Sequence, residues 1–540
     1  MSLLRIAGGR VVDPANGVED AVGDVWIEDG RVVAAPAEGT RADRTIDARG
    51  YVVMPGGVDV HCHIAGPKVN AARAMRPEER REATMARRDG LRSGTLGSVP
   101  STFATGYLYA GLGYTTAVDA AVAPSGARHA RHELGDTPAI DKAFLVLMGN
   151  HHYVMEQVRR GERERLRAFV AWLLGATGGF GVKVVDPGGV ERWKQGKGGR
   201  IGLDDEVDGF GVTPRQVLVG LATAADELAL PHPVHVHGPG LGLPGNAATT
   251  LELMRSLDGR RAHLAHVQFH SYGGDPADAA SMDSQVPLLA DYVNAHVNLS
   301  LDVGQVLFGP TTSMTADSPV GQYLHSLRGR KWLAHDVELE TGCGVVPIEY
   351  KDSNLVHALQ WAIGLEWFLR VEDPWQVALS TDHPNGASFL AYPELIALLM
   401  DRNLRDEMWN RLPERARARS GLGDLGREYS LADVAVVTRA APARMLGLAA
   451  KGHLGPGADG DVTVYAPDAD RRRMFSLPRY VIKSGVVVVD DGDLRHAPDG
   501  PTLRVAPDFD PGALADIAAW HDAHSTVRFR NIQRFESEHS

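Results

Sequence analysis

Eight residues that can bind a metal ion lie within or at the ends of short apolar segments of the chain. They are His61, His63, Lys183, His235, His237, His263, His266 and Asp382. Each apolar segment is typical of a buried parallel strand, and side chains at the carboxyl ends of parallel strands converge on one place. The chemistry that these residue types predict is hydrolysis by a water molecule activated between two metal ions.

The first two histidines have the spacing that a strand requires. Residues i and i+2 of a strand point to the same face, so His61 and His63 direct two imidazoles to one place. The same spacing also occurs by chance on surface strands. The Pro-Gly turn at Pro55 separates a β-rich N-terminal segment from the first long apolar segment, and this position favours the interpretation as ligands.

Lys183 lies in the middle of an apolar segment, Gly181–Val185. One alternative is a lysine that extends to the surface or pairs with an acid. Burial, however, lowers the pKa of a lysine, and the neutral amine can react with CO2 to form a carbamate. Such a carbamate has two oxygens and could bridge two divalent metal ions. Because the histidines are also present, the sequence predicts a carboxylated Lys183.

The fifth and sixth apolar segments each carry two histidines. His237 is preferred to His235, and His266 to His263, because each lies closer to the carboxyl end of its strand. His235 stays the alternative ligand to His237. His270, in the loop after the sixth segment, is a candidate for contact with the substrate.

Asp382 follows the eighth apolar segment and is the predicted catalytic residue as well as a metal ligand. A carboxylate there can take a proton from the attacking water and return it to the leaving nitrogen. The alternative is a helix N-cap, but Asp382 is a lone acid directly after an apolar strand. His383 could orient it, and Asn385 is a further candidate for contact with the substrate.

A Gly-rich loop after Lys183 contains three basic residues, Lys194, Lys197 and Arg200. For any one of these charges, a solvated loop is the more common interpretation. As a set beside the metal ligands, they could hold the anionic tail of a substrate. We therefore predict a substrate-binding role for the three.

The elements that must position these residues alternate between strand and helix. Helical patterns at 164–174, 214–228 and 354–369 lie between apolar segments, which predicts a (β/α)8 barrel. The eight predicted barrel strands are 57–63, 114–120, 143–148, 181–186, 233–237, 262–267, 297–302 and 376–381. The connections 64–113, 187–213 and 303–375 are long, so loops or subdomains are expected over the catalytic face.

The two ends of the chain have a different pattern from the centre. Short apolar runs broken by Gly-containing turns predict strands there, and the two β segments can pair into one small sandwich. We predict the first part of the sandwich at 1–54, the barrel at 55–430, the second part with a leading helix at 431–500, and a tail at 501–540 with a short helix near 513–524.

Composition excludes several classes of protein. The net charge of −12 without a dominant basic run makes nucleic acid and anionic membranes poor partners. No stretch of 18 apolar residues is present, which excludes a membrane-spanning helix. Two cysteines exclude a disulfide framework and a cysteine-ligated iron–sulfur cluster within this chain. The first residues lack a signal-peptide pattern, so a cytoplasmic enzyme is expected.

Several longer strings resemble one group within the amidohydrolase superfamily, the amidohydrolase-type subunits of formylmethanofuran dehydrogenase and of the bacterial formyltransferase/hydrolase complex. The resemblance extends over nearly the whole chain and includes strings outside the predicted metal ligands. They are Val182–Gly189, Leu243–Asn246, His263–Gly273, Asp302–Gly309, Ala358–Glu366, Thr381–Gly386 and Thr438–Arg444. One difference follows the fifth segment, where Gly238–Gly240 replaces the Cys-Asn-Asn typical of the family.

This resemblance implies a binuclear zinc site bridged by a carboxylated lysine. Its ligands here would be His61, His63, Lys183, His237 or His235, His266 and Asp382. It also implies release of formate from formylmethanofuran or its bacterial analogue in one-carbon metabolism, by a chain that works with the other subunits of a complex. The alternatives are a cyclic amidase of the dihydropyrimidinase type, which has the same ligands, and a scaffolding subunit without chemistry of its own.

Overall fold

Eight parallel strands form the centre of the computed structural model, which describes residues 2–79, 84–88, 90–198, 201–329, 331–335 and 343–532. Each strand pairs with the next along the chain, and a parallel bridge from Cys62 to His383 joins the first strand to the end of the last. All eight predicted strands and the predicted barrel are therefore confirmed. The strands are β1 (Gly57–Cys62), β2 (Tyr114–Val122), β3 (Asp141–Leu147), β4 (Gly181–Val185), β5 (Val234–His237), β6 (Ala262–Leu264), β7 (Leu299–Asp302) and β8 (Val377–Ala378).

The barrel strands are buried on both faces, which explains their nearly continuous apolar sequences. Every residue of β2, β3 and β4 is buried. Charged residues inside such strands are rare because a buried charge needs a partner. Asp119 in β2 and Lys183 in β4 therefore mark positions where a partner must reach into the barrel.

Helices cover the outside of the barrel, and the predicted helices at 164–174, 214–228, 354–369 and 513–524 are confirmed. One of them begins with a capping box between Thr213 and Gln216, followed by a proline at its first position. No helix among the described residues combines the length and apolar character needed to cross a membrane. The α-helices are Pro67–Met75, Thr102–Gly111, Ala127–Gly135, His152–Arg160, Arg163–Thr177, Gly189–Lys194, Pro214–Glu227, Asn246–Leu257, Val286–Asn294, Ser318–Arg328, Leu355–Arg370, Tyr392–Met400, Arg402–Arg411, Glu414–Arg417, Leu431–Ala435, Ala441–Met445, Arg471–Ser476, Leu514–His524 and Phe529–Ile532.

A nine-stranded sheet brings the two ends of the chain together. Val52–Pro55 pairs antiparallel with Val462–Tyr465, and both ends contribute to an apolar core that includes Ile6 and Ile482. The predicted β-sandwich from both chain ends is thus confirmed, while the division at 54, 430 and 500 stays a prediction. The other strands of this sheet are Leu3–Asp13, Val18–Glu28, Arg31–Val33, Arg44–Asp47, Tyr480–Lys483, Val486–Asp490 and Asp493–Leu494.

Buried ion pairs join the sandwich to the amino-terminal end of the barrel. Lys451 Nζ contacts Asp141 and lies 2.7 Å from Asp459 Oδ2 and 3.1 Å from Asp461 Oδ2. Lys483 Nζ lies 3.0 Å from Asp141 Oδ1 and 3.1 Å from Asp461 Oδ1. We call these five residues the junction cluster. Each of its two ammonium groups faces at least two carboxylates.

The long connection between β7 and β8 forms a small subdomain over the carboxyl ends of the strands. It contains an antiparallel sheet of Gly309–Thr315, Leu333–His335 and Cys343–Tyr350, together with the helix Ser318–Arg328. We call residues 309–350 the cover; the structure describes all of them except 330 and 336–342. This position agrees with the expectation that the segment 303–375 covers the catalytic face.

Two further short strands, Thr84–Met85 and Gly94–Thr95, pair antiparallel in the long connection after β1.

Candidate metal centre

Side chains from the ends of the first and last barrel strands meet at one carboxylate oxygen. His61 Nε2 and His63 Nε2 each lie 3.1 Å from Asp382 Oδ1. All three side chains are buried. The backbone of Asp382 is left-handed, with φ of 51°, a strained conformation that is common at functional sites. The two imidazoles of the H-x-H pair therefore share one target, as strand geometry predicts.

Lys183 lies in the middle of β4, and its side chain lines the same cavity as His61, His63 and Asp382. Its amine nitrogen is buried and makes no hydrogen bond within the described residues. Burial lowers the pKa of Lys183 to about 7. A substantial fraction of the amine is then neutral near neutral pH, and the neutral amine is the form that reacts with CO2. The surroundings of Lys183 therefore fit a carboxylated lysine.

Strands β5 and β6 contribute a second pair of facing ligand atoms. His237 Nδ1 and His266 Nε2 lie 3.1 Å apart. His237 Nε2 lies 3.2 Å from Asp317 Oδ2. When Asp317 is ionised it only accepts hydrogen bonds, and His237 Nε2 then donates while His237 Nδ1 keeps its lone pair. His237 therefore presents a possible ligand atom towards His266.

This set of donor atoms fits divalent metal ions. His61 Nε2, Lys183 Nζ and Asp382 Oδ1 are buried and make no hydrogen bond of good geometry within the described residues. A buried polar atom without a partner costs about 1–3 kcal/mol, so a partner is expected at each. Ligand atoms 3.1 Å apart suit a shared ion at about 2.0–2.1 Å from each nitrogen or oxygen. Imidazole nitrogens and carboxylate oxygens are the donors that zinc accepts.

A chain of hydrogen bonds beneath the centre determines which nitrogen of His61 is free. The Met445 carbonyl only accepts and lies 2.8 Å from His232 Nδ1, so that nitrogen carries the hydrogen. His235 Nδ1 then donates to His232 Nε2 at 3.1 Å, and His61 Nδ1 is 3.2 Å from His235 Nε2. His61 Nδ1 also lies 2.8 Å from Asp302 Oδ2. A hydrogen on Nδ1 leaves the lone pair of His61 Nε2 available to a metal ion.

The two histidines of the fifth strand consequently occupy different places. His237 lines the cavity, whereas His235 lies beneath it and is not part of the described cavity wall. On the sixth strand, His263 also lies beneath the cavity, with Nε2 3.2 Å from Asp302 Oδ2, and His266 lines the cavity. The structure thus brings the preferred candidates of both strands to the centre and places the alternatives below them.

Two buried carboxylates behind the histidines are absent from the predicted site. Asp302 ends β7 and contacts His61, while Asp119 in β2 has Oδ1 3.5 Å from His63 Nδ1. Burial raises the pKa of Asp302, but His61 and His263 lower it well below its ordinary value. Carboxylates in such positions orient metal-binding imidazoles. Their sequence signal is a single acid inside or at the end of an apolar strand.

A third buried acid, Asp186, lies at the end of β4 beside Asp317. Burial and repulsion from Asp317 raise the pKa of Asp186 well above its ordinary value. Burial also raises the pKa of Asp317, to about 7. Two neighbouring buried carboxyls do not readily ionise together. Asp317 accepts a hydrogen bond from the Val320 backbone, whereas Asp186 Oδ1 has no hydrogen-bond partner among the described residues, so we assign the negative charge of the pair to Asp317.

The two other predicted substrate contacts near the centre differ in position. The ring of His270 lies 5.3 Å from that of His266 and 5.4 Å from that of His237, and neither ring nitrogen has a hydrogen-bond partner among the described residues. His270 is not part of the described cavity wall, whereas Asn385 is. The Asn385 side chain accepts a hydrogen bond from the Met314 backbone at 2.7 Å. It therefore also anchors the cover.

The basic loop after β4 is paired with acids. Lys194 Nζ lies 3.7 Å from Glu191 Oε2, and Lys197 Nζ lies 2.7 Å from Asp208 Oδ1. Neither lysine belongs to the described cavity wall, and Arg200 lies outside the described residues. The role of Lys194, Lys197 and Arg200 in substrate binding stays a prediction.

Apolar side chains form most of the cavity wall beyond the ligands. At the polar end, Lys68 Nζ lies 3.3 Å from His63 Nδ1, a position that the sequence did not indicate. A cavity with mostly apolar walls and a few convergent polar groups is typical of a small-molecule binding site. The cover contributes Ala316, Val320, Tyr323, Leu324, Leu327, Val346, Ile348 and Tyr350 to the wall.

The geometry agrees with the comparisons to known proteins. The model of the amidohydrolase family matches residues 44–489. The chain is 43% identical to protein FwdA of Methanocaldococcus jannaschii over 97% of this chain and 95% of that protein. It is 41% identical to one subunit of the formyltransferase/hydrolase complex Fhc of Methylorubrum extorquens, over 94% and 92% of the two chains. We call this second relative the Fhc homologue.

Comparison with solved structures supports the same family assignment. A crystal structure of the FhcABCD complex from Methylorubrum extorquens, in complex with methylofuran, matches with a TM-score of 0.92 and 39% identity, over 98% of this chain and 96% of that chain. N-acyl-D-glutamate deacylase from Bordetella bronchiseptica matches with a TM-score of 0.51 and 17% identity, over 94% and 100% of the two chains, which shows the shared fold alone. The chain therefore belongs to the amidohydrolase family, in the group that includes FwdA and the Fhc homologue.

Proposed function

We propose that the chain is a hydrolase that holds two zinc ions and releases formate from an N-formyl amide. The observation that carries this proposal is the convergence of buried imidazole, carboxylate and amine groups on one cavity. The proposed ligands are His61, His63, Lys183 in its carboxylated form, His237, His266 and Asp382. The similarity over nearly the full length to FwdA and to the Fhc homologue supports the same conclusion.

The proposed chemistry divides between the metal ions and the side chains. When bound, the two ions would polarise the formyl carbonyl and lower the pKa of water. Asp382 would take a proton from the attacking water and deliver it to the leaving nitrogen. Carboxylated Lys183 would help the histidines and Asp382 to hold the ions. The apolar wall of the cover would exclude bulk water from the reacting group.

The proposed substrate is formylmethanofuran or its bacterial analogue. The crystal structure of the similar Fhc complex contains methylofuran. The name of that complex refers to both a formyltransferase and a hydrolase activity. A polar formyl group on an aromatic arm also suits a cavity with ligands at one end and apolar walls beyond them. His270, Asn385 and the basic residues Lys194, Lys197 and Arg200 stay candidates for contact with this substrate.

We further propose that the chain works in the cytoplasm as the hydrolase component of a multi-subunit complex in one-carbon metabolism. Its partners would be the other subunits of a formyltransferase/hydrolase complex, and the resemblance of the whole chain to the Fhc homologue supports this. Neither nucleic acid nor a membrane is proposed as a partner, since the net charge is −12 and no basic run dominates.

The test compares two reactions of the purified complex. Formate release from the formylated cofactor is measured beside ring opening of dihydrouracil and hydantoin, and metal is measured by elemental analysis. We expect formate release and about two zinc ions per chain. Ring opening without formate release would instead indicate a cyclic amidase. A metal-free chain in a fully active complex would indicate a scaffolding subunit.

A further inference from the structure

Asp317 connects the cover to the candidate metal centre. It lies two residues after the first strand of the cover, Gly309–Thr315, and it is buried. Its Oδ2 lies 3.2 Å from His237 Nε2. Its Oδ1 accepts a hydrogen bond from the Val320 backbone at 3.2 Å and so caps the helix Ser318–Arg328. One carboxylate thus holds a proposed metal ligand with one oxygen and the cover helix with the other.

The cover is attached to the ligand-bearing strands at a second place. Asn385 lies three residues after Asp382, and its side chain accepts from the Met314 backbone at 2.7 Å. The Tyr350 hydroxyl donates to the backbone carbonyl of Asn385 at 3.0 Å. The segment after β8 therefore fixes two strands of the cover, and Asp317 fixes its helix to the end of β5.

The contact between Asp317 and His237 has a consequence for metal binding. A hydrogen on His237 Nε2, held by Asp317, leaves Nδ1 as the ligand atom. Carboxylates that accept from the second nitrogen of an imidazole fix its orientation and raise its affinity for a metal. Conversely, a metal ion on Nδ1 would make Nε2–H a stronger donor to Asp317. Coupling of this kind is reciprocal.

We propose that Asp317 is a positioning residue that couples occupation of the metal centre to the packing of residues 309–329 of the cover against the barrel. This inference rests on the metal centre of the proposed function. Loss of the metal would loosen the cover, and loosening of the cover would lower the affinity for the metal. The wall of the substrate cavity would then be complete only when the metal centre is loaded.

The test uses the full chain, prepared without metal and then reloaded with zinc. Zinc affinity is measured by competition with a chromophoric chelator, and amide hydrogen exchange is measured in residues 309–329. In the wild type, we expect zinc to slow exchange in this segment and to leave the strands 480–490 of the sandwich unchanged. Because both readouts are independent of substrate, they do not require the substrate assignment to be correct.

The decisive variant is Asp317→Asn. Asparagine is a good N-cap, so the helix Ser318–Arg328 keeps its cap while the charge facing His237 is lost. We expect zinc affinity to fall by roughly 10- to 100-fold and the zinc-dependent protection of 309–329 to disappear. The matched control is Asp401→Asn, the same change at the N-cap of Arg402–Arg411, which should leave both readouts at wild-type values.

Two results would overturn this inference while the proposed function stands. One is Asp317→Asn with wild-type zinc affinity; the other is wild-type protein that binds zinc without any change of exchange in 309–329. A wild-type chain that binds no zinc would overturn the proposed metal centre itself, and it would be seen before any variant is made.

Discussion

Two clusters of buried charged groups lie at opposite ends of the barrel, and they differ in how their charges are matched. In the junction cluster, at the amino-terminal end, the ammonium groups of Lys451 and Lys483 lie among three carboxylates. In the candidate metal centre, at the carboxyl-terminal end, two imidazole nitrogens face one oxygen of Asp382, and the amine of Lys183 makes no hydrogen bond within the described residues. Lysine ammonium groups pair with the carboxylates of the first cluster, whereas potential metal ligands face one another in the second.

This difference shows that residue type alone does not identify a metal site. The junction carboxylates Asp141, Asp459 and Asp461 lie close enough together to hold an ion. Lysine ammonium groups already fill that place, so the junction cluster has a structural role. In the candidate metal centre, by contrast, imidazole nitrogens of two histidines face one carboxylate oxygen. Each of the following predictions perturbs one cluster and leaves the other as the reference.

The largest effect is expected for Lys183→Ala. Without the bridging carbamate, the chain should lose most of its metal and its formate-releasing activity. Added short carboxylic acids should restore part of both, because they can occupy the place of the carbamate. Elemental analysis and a formate assay measure the two quantities. A Lys183→Ala variant with wild-type metal content and rate would mean that Lys183 is only a core lysine.

Asp382→Asn should have the next largest effect. The amide keeps the shape of the side chain but cannot accept the proton, so kcat should fall by at least roughly 10²-fold, with a smaller change in KM. Steady-state kinetics with the formylated substrate measures both constants. An unaltered kcat would assign proton transfer to another residue, with His383 or His270 as the next candidates.

Lys451→Met tests the other cluster. Removing one ammonium group leaves buried carboxylates without a partner, which typically costs about 3–5 kcal/mol. The free energy of unfolding in denaturant should fall by that amount, while zinc content and kcat of the folded protein stay at wild-type values. Loss of zinc with unchanged stability would contradict the structural role of the junction cluster.

We expect pH to have a smaller effect, on the contribution of the junction cluster to the free energy of unfolding. Burial raises the pKa of Asp461, but Lys451 and Lys483 lower it below 3.8 overall. A carboxyl whose pKa is lowered by folding stabilises the folded state at any pH above its pKa in the unfolded chain. This stabilisation is lost as the pH falls through the pKa of the group in the folded protein. Loss of Lys451 removes the largest cause that lowers the pKa of Asp461, and the unfolded chain contributes equally to both proteins. The difference in unfolding free energy between wild type and Lys451→Met should therefore shrink as the pH falls from the folded-state pKa of Asp461 in the variant to its lower folded-state pKa in the wild type. A difference that grows as the pH falls would contradict the pairing of Lys451 with Asp461.

The barrel and the approach of the main ligands to one another could be predicted from the sequence because they depend on local patterns. Apolar strands and their order give the ends at which His61, Lys183 and Asp382 meet. The preference for His237 over His235 rests on a weaker signal, the position along β5, because both residues point to the same face of the strand. The structure places His235 in register with Lys183, two residues below His237, and places His237 on the cavity wall.

The contribution of the cover could not be predicted in the same way. Asp317 lies far along the chain from the end of β7, inside a connection whose path no periodic pattern indicates. Its contact with His237 depends on how the whole subdomain folds over the barrel. Asp119 and Asp302 were within reach of sequence analysis, because each is a single acid in an apolar strand, the pattern that identified Asp382.

Left-handed backbone at three strand ends has a consequence for the evolution of this protein. Asp186, His266 and Asp382 have φ values of 36°, 35° and 51°. For residues other than glycine, such conformations cost about 1–3 kcal/mol each, whereas glycine adopts them without steric cost. Selection for backbone stability alone would thus favour glycine at a left-handed position, at the expense of the side chain there. If His266 and Asp382 bind metal as proposed, the strain at these two positions is stability that the fold loses in order to place their side chains at the centre.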